Sequence, residues 1–312
     1  MFHMMKNVTE SLAGRAGIVP MMGLSSAEID GRHPEAFSLD PSALVGRLAE
    51  AKPKTVTEVF DRIFKGSMPR LYEVENVNRE LYFESYLNTY LSRDVRDLEQ
   101  VGNESTYLNF IRIVAARTAT TVNYEALAEE AGISAPTAKK WLSILVSCGI
   151  VVLIEPYFNN ALKRVIKAPR MYFLDTGLCA YLMGWGSASV LEKSAMSGEF
   201  FETWVVSEIY KSYLNAGKRS PLYYYRDTNK KEIDLIIFQD GVVYPIEIKK
   251  NASPQNATKN FSVLKPIEAG EGPDRFGASA LKTQIGTGAV ICMASDLIPV
   301  DHKNWYVPAW II

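Results

Sequence analysis

Apolar residues recur at helical spacing through most of the first two hundred positions, broken by one hairpin-like stretch, and alternate over short runs after that. The stretch 79–99 carries Leu81, Phe83, Tyr86, Leu87, Tyr90, Leu91, Val95 and Leu98 on one helical face and predicts one long helix. Its end, Arg93-Asp94-Val95-Arg96-Asp97, alternates in sign and reads as a solvated face. Upstream, Met4, Val8 and Leu12 begin a helical pattern that runs into Gly14-Arg15-Ala16-Gly17, and Ser25 with Glu28 three positions on has the form of a helix start. Residues 36–100 are predicted helical, with breaks at Pro41, Pro53 and Pro69.

The stretch 105–182 predicts a compact unit: a helix over 107–118, then Tyr124–Ala131 and Ala135–Ser147 joined by Gly132-Ile133-Ser134. Gly132 supplies a left-handed turn residue, Ser134 a cap, and Pro136 fits a first helical turn. Strands follow at 150–154 and 170–174 around a polar tip, Asn159-Asn160. A hairpin after a helix-turn-helix is a wing. From 156 to 173 there are Lys163, Arg164, Lys167 and Arg170 and no acid, and the second helix adds Lys139 and Lys140. Those six residues are the predicted phosphate contacts. None predicts a base preference, and small tri-helical units also serve as packing modules alone.

The last stretch, 191–312, predicts a mixed α/β unit. A helix over Ser197–Asn215 ends at Gly217, and strands follow at Leu222–Arg226, 231–238, 242–249, 288–294 and 304–312. Composition adds limits. The 312 residues are 47% apolar and 22% charged, which suits real cores and excludes wholesale disorder. Net charge is −1, from 34 basic and 35 acidic residues, so nucleic-acid contact requires a local basic patch. Three scattered histidines (His3, His33, His302) and three widely spaced cysteines (Cys148, Cys179, Cys292) argue against structural zinc and for free thiols in a reducing cytosol. The longest nearly apolar run, 144–154, is about half a membrane span, and no signal peptide is visible. Neither G-x-x-x-x-G-K-[ST] nor G-x-G-x-x-G occurs, so no ATP site is expected in this chain.

Candidate chemistry concentrates in one hairpin. Asp240-Gly241 is a two-residue turn signal. With that turn, Gln239 stands opposite Val242, Asp234 opposite Glu247, and Glu232 opposite Lys249, all four charges on one face and Ile233, Leu235 and Ile237 on the other. Opposed carboxylates at about 5 Å destabilise a sheet unless something neutralises them. Mg²⁺ does so, taking one or two carboxylates together with water and phosphate oxygens. Asp234 and Glu247 are therefore the predicted metal ligands, and Lys249 the group acting on the attacking water or the phosphate. Glu202 falls in the stripe Glu202, Val205, Val206, Ile209 and Tyr213, a carboxylate facing the sheet that needs a partner. The same charges also suit a purely structural ion-pair network of Glu202, Glu232 and Lys249, with Asp234 at an exposed strand end.

Asp234, Glu247 and Lys249, with Glu202 on the preceding helix, resemble the PD-(D/E)xK restriction-endonuclease-like superfamily. The wider chain resembles a bacterial and archaeal family of AAA+-like ATP-binding proteins with a C-terminal domain of unknown function. TESLAGR (9–15), FKGSMPRLY (64–72), SYLNTYLSRDV (85–95), FLDTGLCAYL (173–182), GEFFETWVVSEI (198–209), KEIDLII (231–237) and YPIEIKK (244–250) carry that resemblance. It implies an α/β multi-domain fold: 1–35 the end of an ATPase core, 36–104 a helical linker, 105–190 a winged helix-turn-helix and 191–312 a nuclease-like domain. The chain then begins where the ATPase core ends, and Arg15 matches an arginine near that end. The implied function is binding of nucleic acid, duplex DNA in first place, with Mg²⁺-dependent phosphodiester hydrolysis in the cytoplasm and no membrane. The alternatives are a non-catalytic DNA- or partner-binding regulatory module, and a chain acting with a separate ATPase core or as a homo-oligomer.

Overall fold

The computed structural model describes residues 21–33, 35–74, 76–90, 104–157, 168–266 and 282–312. Its first part is helical. Helix α1 (Ser26–Ile29) starts with the expected capping box of Ser25 and Glu28. Helices α2 (Pro41–Glu50), α3 (Val56–Lys65), α4 (Arg70–Glu73), α5 (Arg79–Tyr90) and α6 (Glu104–Ala116) follow. Helix α3 has a second capping box, Thr55 with Glu58, and buries Val59, Phe60 and Ile63. Helix α5 is the first part of the long predicted helix; residues 91–99 lie outside the described residues, as do Met4 to Leu12, Arg15 and His3.

After the short strand β1 (Thr120–Thr121), α7 (Tyr124–Ala131) and α8 (Ala135–Ser147) have the predicted bounds. Gly132 is left-handed at φ 66° and ψ 35°, and the Ser134 hydroxyl accepts from the Thr137 amide. The strands β2 (Val151–Pro156) and β3 (Arg170–Phe173) pair antiparallel, Val151 with Phe173 through Ile154 with Arg170. The polar tip with Lys163, Arg164 and Lys167 lies outside the described residues.

Helices α9 (Thr176–Leu182), α10 (Ala188–Lys193) and α11 (Ser197–Asn215) lead into β4 (Leu222–Arg226), β5 (Glu232–Gln239) and β6 (Val242–Ile248). The strands β7 (Gln284–Ile285), β8 (Gly288–Cys292), β9 (Ile298–Pro299) and β10 (Asn304–Pro308) complete one ten-stranded mixed sheet, in the order β1-β3-β2-β4-β5-β6-β8-β10-β9 with β7 beside β6. The sequence predicted a hairpin separate from the last α/β unit. The structure joins them: β2 outruns β3, and Glu155 and Pro156 pair in parallel with Tyr223 and Tyr224 of β4. The main core runs from Phe37 through α3, α6, α8 and α11 to Ile312.

Pairing of β5 with β6 follows the register set by Asp240-Gly241, from Gln239 with Val242 to Leu235 with Ile246. One face assignment changes. Between Ile233 and Ile236, β5 has one residue more than β4 has between Tyr223 and Tyr225. This bulge puts Ile233 with Ile236 in a second cluster around Tyr157 and Phe261, while Leu235 and Ile237 join the main core. The three do not share a face, because period-two alternation breaks at the extra residue.

Candidate functional site

The bulge falls at Asp234, and the charged residues gather there. The ladder of β5 and β6 stops at Leu235 and Ile246; beyond it the Ile248 amide donates to Asp234 Oδ2 at 2.9 Å, and the Lys249 amide donates to the Ile291 carbonyl of β8. The Asp234 carboxylate thus satisfies an amide where the strands part, which holds it inside the sheet end. It is 7% exposed, so the expectation of an exposed strand end is corrected.

Lys249 Nζ lies 3.2 Å from Asp234 Oδ2 and 2.7 Å from Glu247 Oε1, bridging the two carboxylates. Glu247 is buried, and its second oxygen, Oε2, accepts no hydrogen bond. Glu202, from the first turns of α11, accepts from Tyr172 Oη at 2.7 Å and from Arg170 Nη1 at 3.0 Å. Glu232 does not meet Lys249 as the register implied. Arg170 pairs with it, and Arg226 Nε stands 3.8 Å from its carboxylate. The structure therefore brings together Glu202, Asp234, Glu247 and Lys249, and adds Arg170, Tyr172 and Glu232.

Arg170 is a correction. The sequence placed it among the phosphate contacts. The structure places it 4% exposed, against Glu202 and Glu232 and 3.9 Å from Asp234 Oδ1. A lone guanidinium in a basic stretch looks like surface charge; here three acids from distant positions in the chain surround it. Lys139 and Lys140 are exposed on α8. Sequence reading also missed Tyr172; its neighbour at the alternate strand position, Arg170, was the available signal.

The electrostatics are uneven. Burial, reinforced by the charge of Asp234, pushes the Glu202 carboxyl up to about 7, with Arg170 and the Tyr172 hydroxyl opposing. Burial and Asp234 likewise push Glu247 up to about 7, against Lys249. Burial works to lower Lys249, but Asp234 and Glu247 outweigh it and hold the ammonium charged. Lys249 is thus a fixed cation and a poor base, which favours its role in stabilising charge over deprotonating water.

Among the described residues, no group of three or more histidine, cysteine or acidic side chains converges as a ready metal cage. The donor set instead fits a cation that needs few protein ligands. Glu247 Oε2 is buried without a donor beside the Asp234 carboxylate, and Mg²⁺ is held through one or two carboxylates plus water. Cys148, Cys179 and Cys292 form no disulfide, and Cys148 is half-buried. No described helix is long and apolar enough to cross a membrane. An open cavity of about 520 Å³ between Pro245, Phe261, Lys282 and Lys303 has no carboxylate among its described lining residues, and none of the cluster's residues lines it.

Comparison with known proteins gives two family matches. Residues 56–189 match a domain of unknown function (DUF8612), and residues 197–312 match a domain of unknown function (DUF4143). The site draws on both segments: Arg170 and Tyr172 lie in the first, and Glu202, Glu232, Asp234, Glu247 and Lys249 in the second. Two mycobacterial proteins are similar, the uncharacterized protein Rv2008c of Mycobacterium tuberculosis and the uncharacterized protein Mb2031c of Mycobacterium bovis. Each is 26% identical over 257 residues, covering 80% of this chain and 57% of the relative's own length. No solved structure matches. The chain is similar to these proteins over most of its length and spans little more than half of theirs.

Proposed function

We propose that this chain is a nucleic-acid-binding protein of the AAA-ATPase-associated kind, with a Mg²⁺-dependent phosphodiester-hydrolysing site at Asp234 and Glu247. One observation carries the reading: two buried carboxylates converge with Lys249 at a bulged strand end, and one carboxylate oxygen has no partner. Isolated buried carboxylates cost several kcal/mol, roughly. Functional sites are where such arrangements with strongly shifted proton affinities cluster.

Asp234 and Glu247 would hold the cation. A bound Mg²⁺ would supply Lewis-acid neutralisation of phosphate charge. Lys249 remains charged and stabilises the negative charge that develops on the phosphate. Glu202, with a carboxyl near 7, exchanges a proton close to neutral pH. The unit of α7, α8 and the β2–β3 hairpin serves as a winged helix that holds duplex DNA by its phosphates. Lys139 and Lys140 supply exposed charge on α8, and Lys163, Arg164 and Lys167, outside the described residues, are further proposed phosphate contacts on sequence grounds. The match to a domain of unknown function (DUF4143) over 197–312 supports the link to ATPase-like proteins. An ATPase core on a partner chain, or a second copy of this chain, is the proposed assembly.

The test is a supercoiled-plasmid assay with Mg²⁺ or Mn²⁺, on the wild type and Asp234→Ala. Cation-dependent nicking that disappears in the variant supports the reading. A second reading has its own observation: Arg170 and Lys249 between them already reach all four carboxylates. On that reading the chain binds DNA or a protein without cutting, and the cluster is structural. Duplex binding that needs Lys139 and Lys140 and ignores both cations, with no nicking, favours it.

A further inference from the structure

Arg170 and Tyr172 reach the carboxylates from β3, whereas the carboxylates themselves stand on α11, β5 and β6. The backbone of Arg170 is held from both sides, paired with Ile154 of β2 and with Thr121 of β1. Its guanidinium lies 5.0 Å from the centre of the Tyr224 ring, and the Tyr224 hydroxyl donates to the Ala168 carbonyl. From that fixed base one terminal nitrogen donates to Glu202 Oε1 at 3.0 Å while the other pairs with Glu232. The first nitrogen also stands 3.9 Å from Asp234 Oδ1. A planar guanidinium has two terminal nitrogens at fixed separation, so it holds carboxylates from two elements in one mutual geometry. An ammonium is a point charge and does not.

We propose that Arg170 is a positioning residue. It fixes Glu202 and Glu232 relative to Asp234, and through it the β2–β3 hairpin sets the geometry of the carboxylate site. This deepens the reading above and rests on it for the metal-binding outcome. A role in charge neutralisation alone makes the opposite prediction. Removing a cation from an acidic cluster raises its affinity for another cation, whereas loss of a positioning group lowers it. Lysine at 170 restores the charge without the fork, so it rescues a neutralising role and fails to rescue a positioning one.

The experiment is calorimetric Mn²⁺ titration of the full chain as wild type, Arg170→Lys and Arg170→Met. Alongside it, amide hydrogen exchange is measured in metal-free protein at Ile248, whose N–H donates to Asp234 Oδ2. The expected result for Arg170→Lys is Mn²⁺ binding weakened about tenfold, the scale seen when groups that orient metal ligands are removed. Ile248 is expected to exchange faster in that variant, with Ile237 in the same sheet unchanged. Wild-type values for both in Arg170→Lys, or tighter Mn²⁺ binding in Arg170→Met, overturn the proposal. Should Arg170→Met fail to fold, the lysine variant decides. Should the wild type bind no Mn²⁺, the metal-site reading fails by itself and Ile248 exchange decides. Faster exchange then upholds Arg170 as the organiser of a structural cluster, and unchanged exchange overturns that too.

Discussion

Helix α11 carries a half-buried acid, Glu202, and a buried one, Glu208, six residues apart, and their surroundings differ. Glu208 is 4% exposed; Lys211 pairs with its Oε1, and the Ser26 amide donates to its Oε2 at 2.5 Å. Lys211 also donates to the Leu24 carbonyl at 2.9 Å. Each oxygen has a partner, and the cluster straps residues 24–26 to the helix. Glu202 shares its cation, Arg170, with Glu232 and Asp234, and the network continues to a Glu247 oxygen that has no partner. A completed charge pair of the first kind secures structure. An acid-rich, incompletely paired group of the second kind retains capacity for a cation or a proton.

The largest effect should come from breaking the closed pair. Lys211→Met leaves Glu208 buried without its cation and should cost about 3–5 kcal/mol in urea unfolding. A loss under about 1 kcal/mol would erase the contrast between the two clusters.

The open cluster should behave with the opposite sign. The folded-state carboxyls of Glu202 and Glu247 lie above the ordinary value of 4.5, at about 7. Their contribution to stability is therefore complete below about pH 4.5 and lost as pH rises through about 7. Glu247→Gln removes one of these groups. Between pH 5 and pH 8 it should lose about 2 kcal/mol less stability than the wild type, since each tenfold change in proton affinity on folding corresponds to about 1.4 kcal/mol. An identical pH dependence in the two proteins would contradict the assignment. By the same sign, Mg²⁺ affinity should rise from pH 6 to pH 8 with release of protons, because the ligand must be deprotonated. Titration in two buffers of different ionisation enthalpy reads that release.

A smaller change sharpens the picture at Glu202 itself. Tyr172→Phe removes one hydrogen bond that favours the ionised carboxylate, so the Glu202 titration should move further up, with a stability loss of about 1 kcal/mol. Carboxyl-resolved NMR across pH 5 to 9 follows the titration, and urea unfolding the stability. The smallest effect on stability belongs to exposed charge outside either cluster. Lys139→Gln with Lys140→Gln should change stability by under about 0.5 kcal/mol. Duplex affinity in the double variant should fall alike for all sequences, with a shallower salt dependence. Unchanged duplex affinity would remove α8 from the proposed surface.

The sequence made the local devices legible: Gly132 and Ser134 between α7 and α8, the Ser25–Glu28 box, and the Asp240-Gly241 turn that set five residue pairs of β5 with β6. Each is decided by a few neighbouring residues. Glu202, Asp234, Glu247 and Lys249 were legible as a group because a turn fixes register and a helix stripe fixes a face. What escaped depends on contacts between distant positions. The bulge at Asp234 shows only against β4, and the continuation of β2 into β4 leaves no mark in either strand. Arg170 read as surface charge since its partners lie about 30 to 60 positions away. Glu208 and Lys211 escaped because α11 is buried on nearly all sides, so no polar face marks which charges are interior.

Asp234 and Glu247 are proposed to hold a divalent cation. Calorimetric titration of Mg²⁺ into the wild type and Asp234→Ala at pH 8 tests it most directly. The expected result is saturable binding in the wild type and its loss in the variant, with the fold retained by circular dichroism. No saturable heat in the wild type, or equal binding in both proteins, would contradict it and leave the cluster as internal ion pairing.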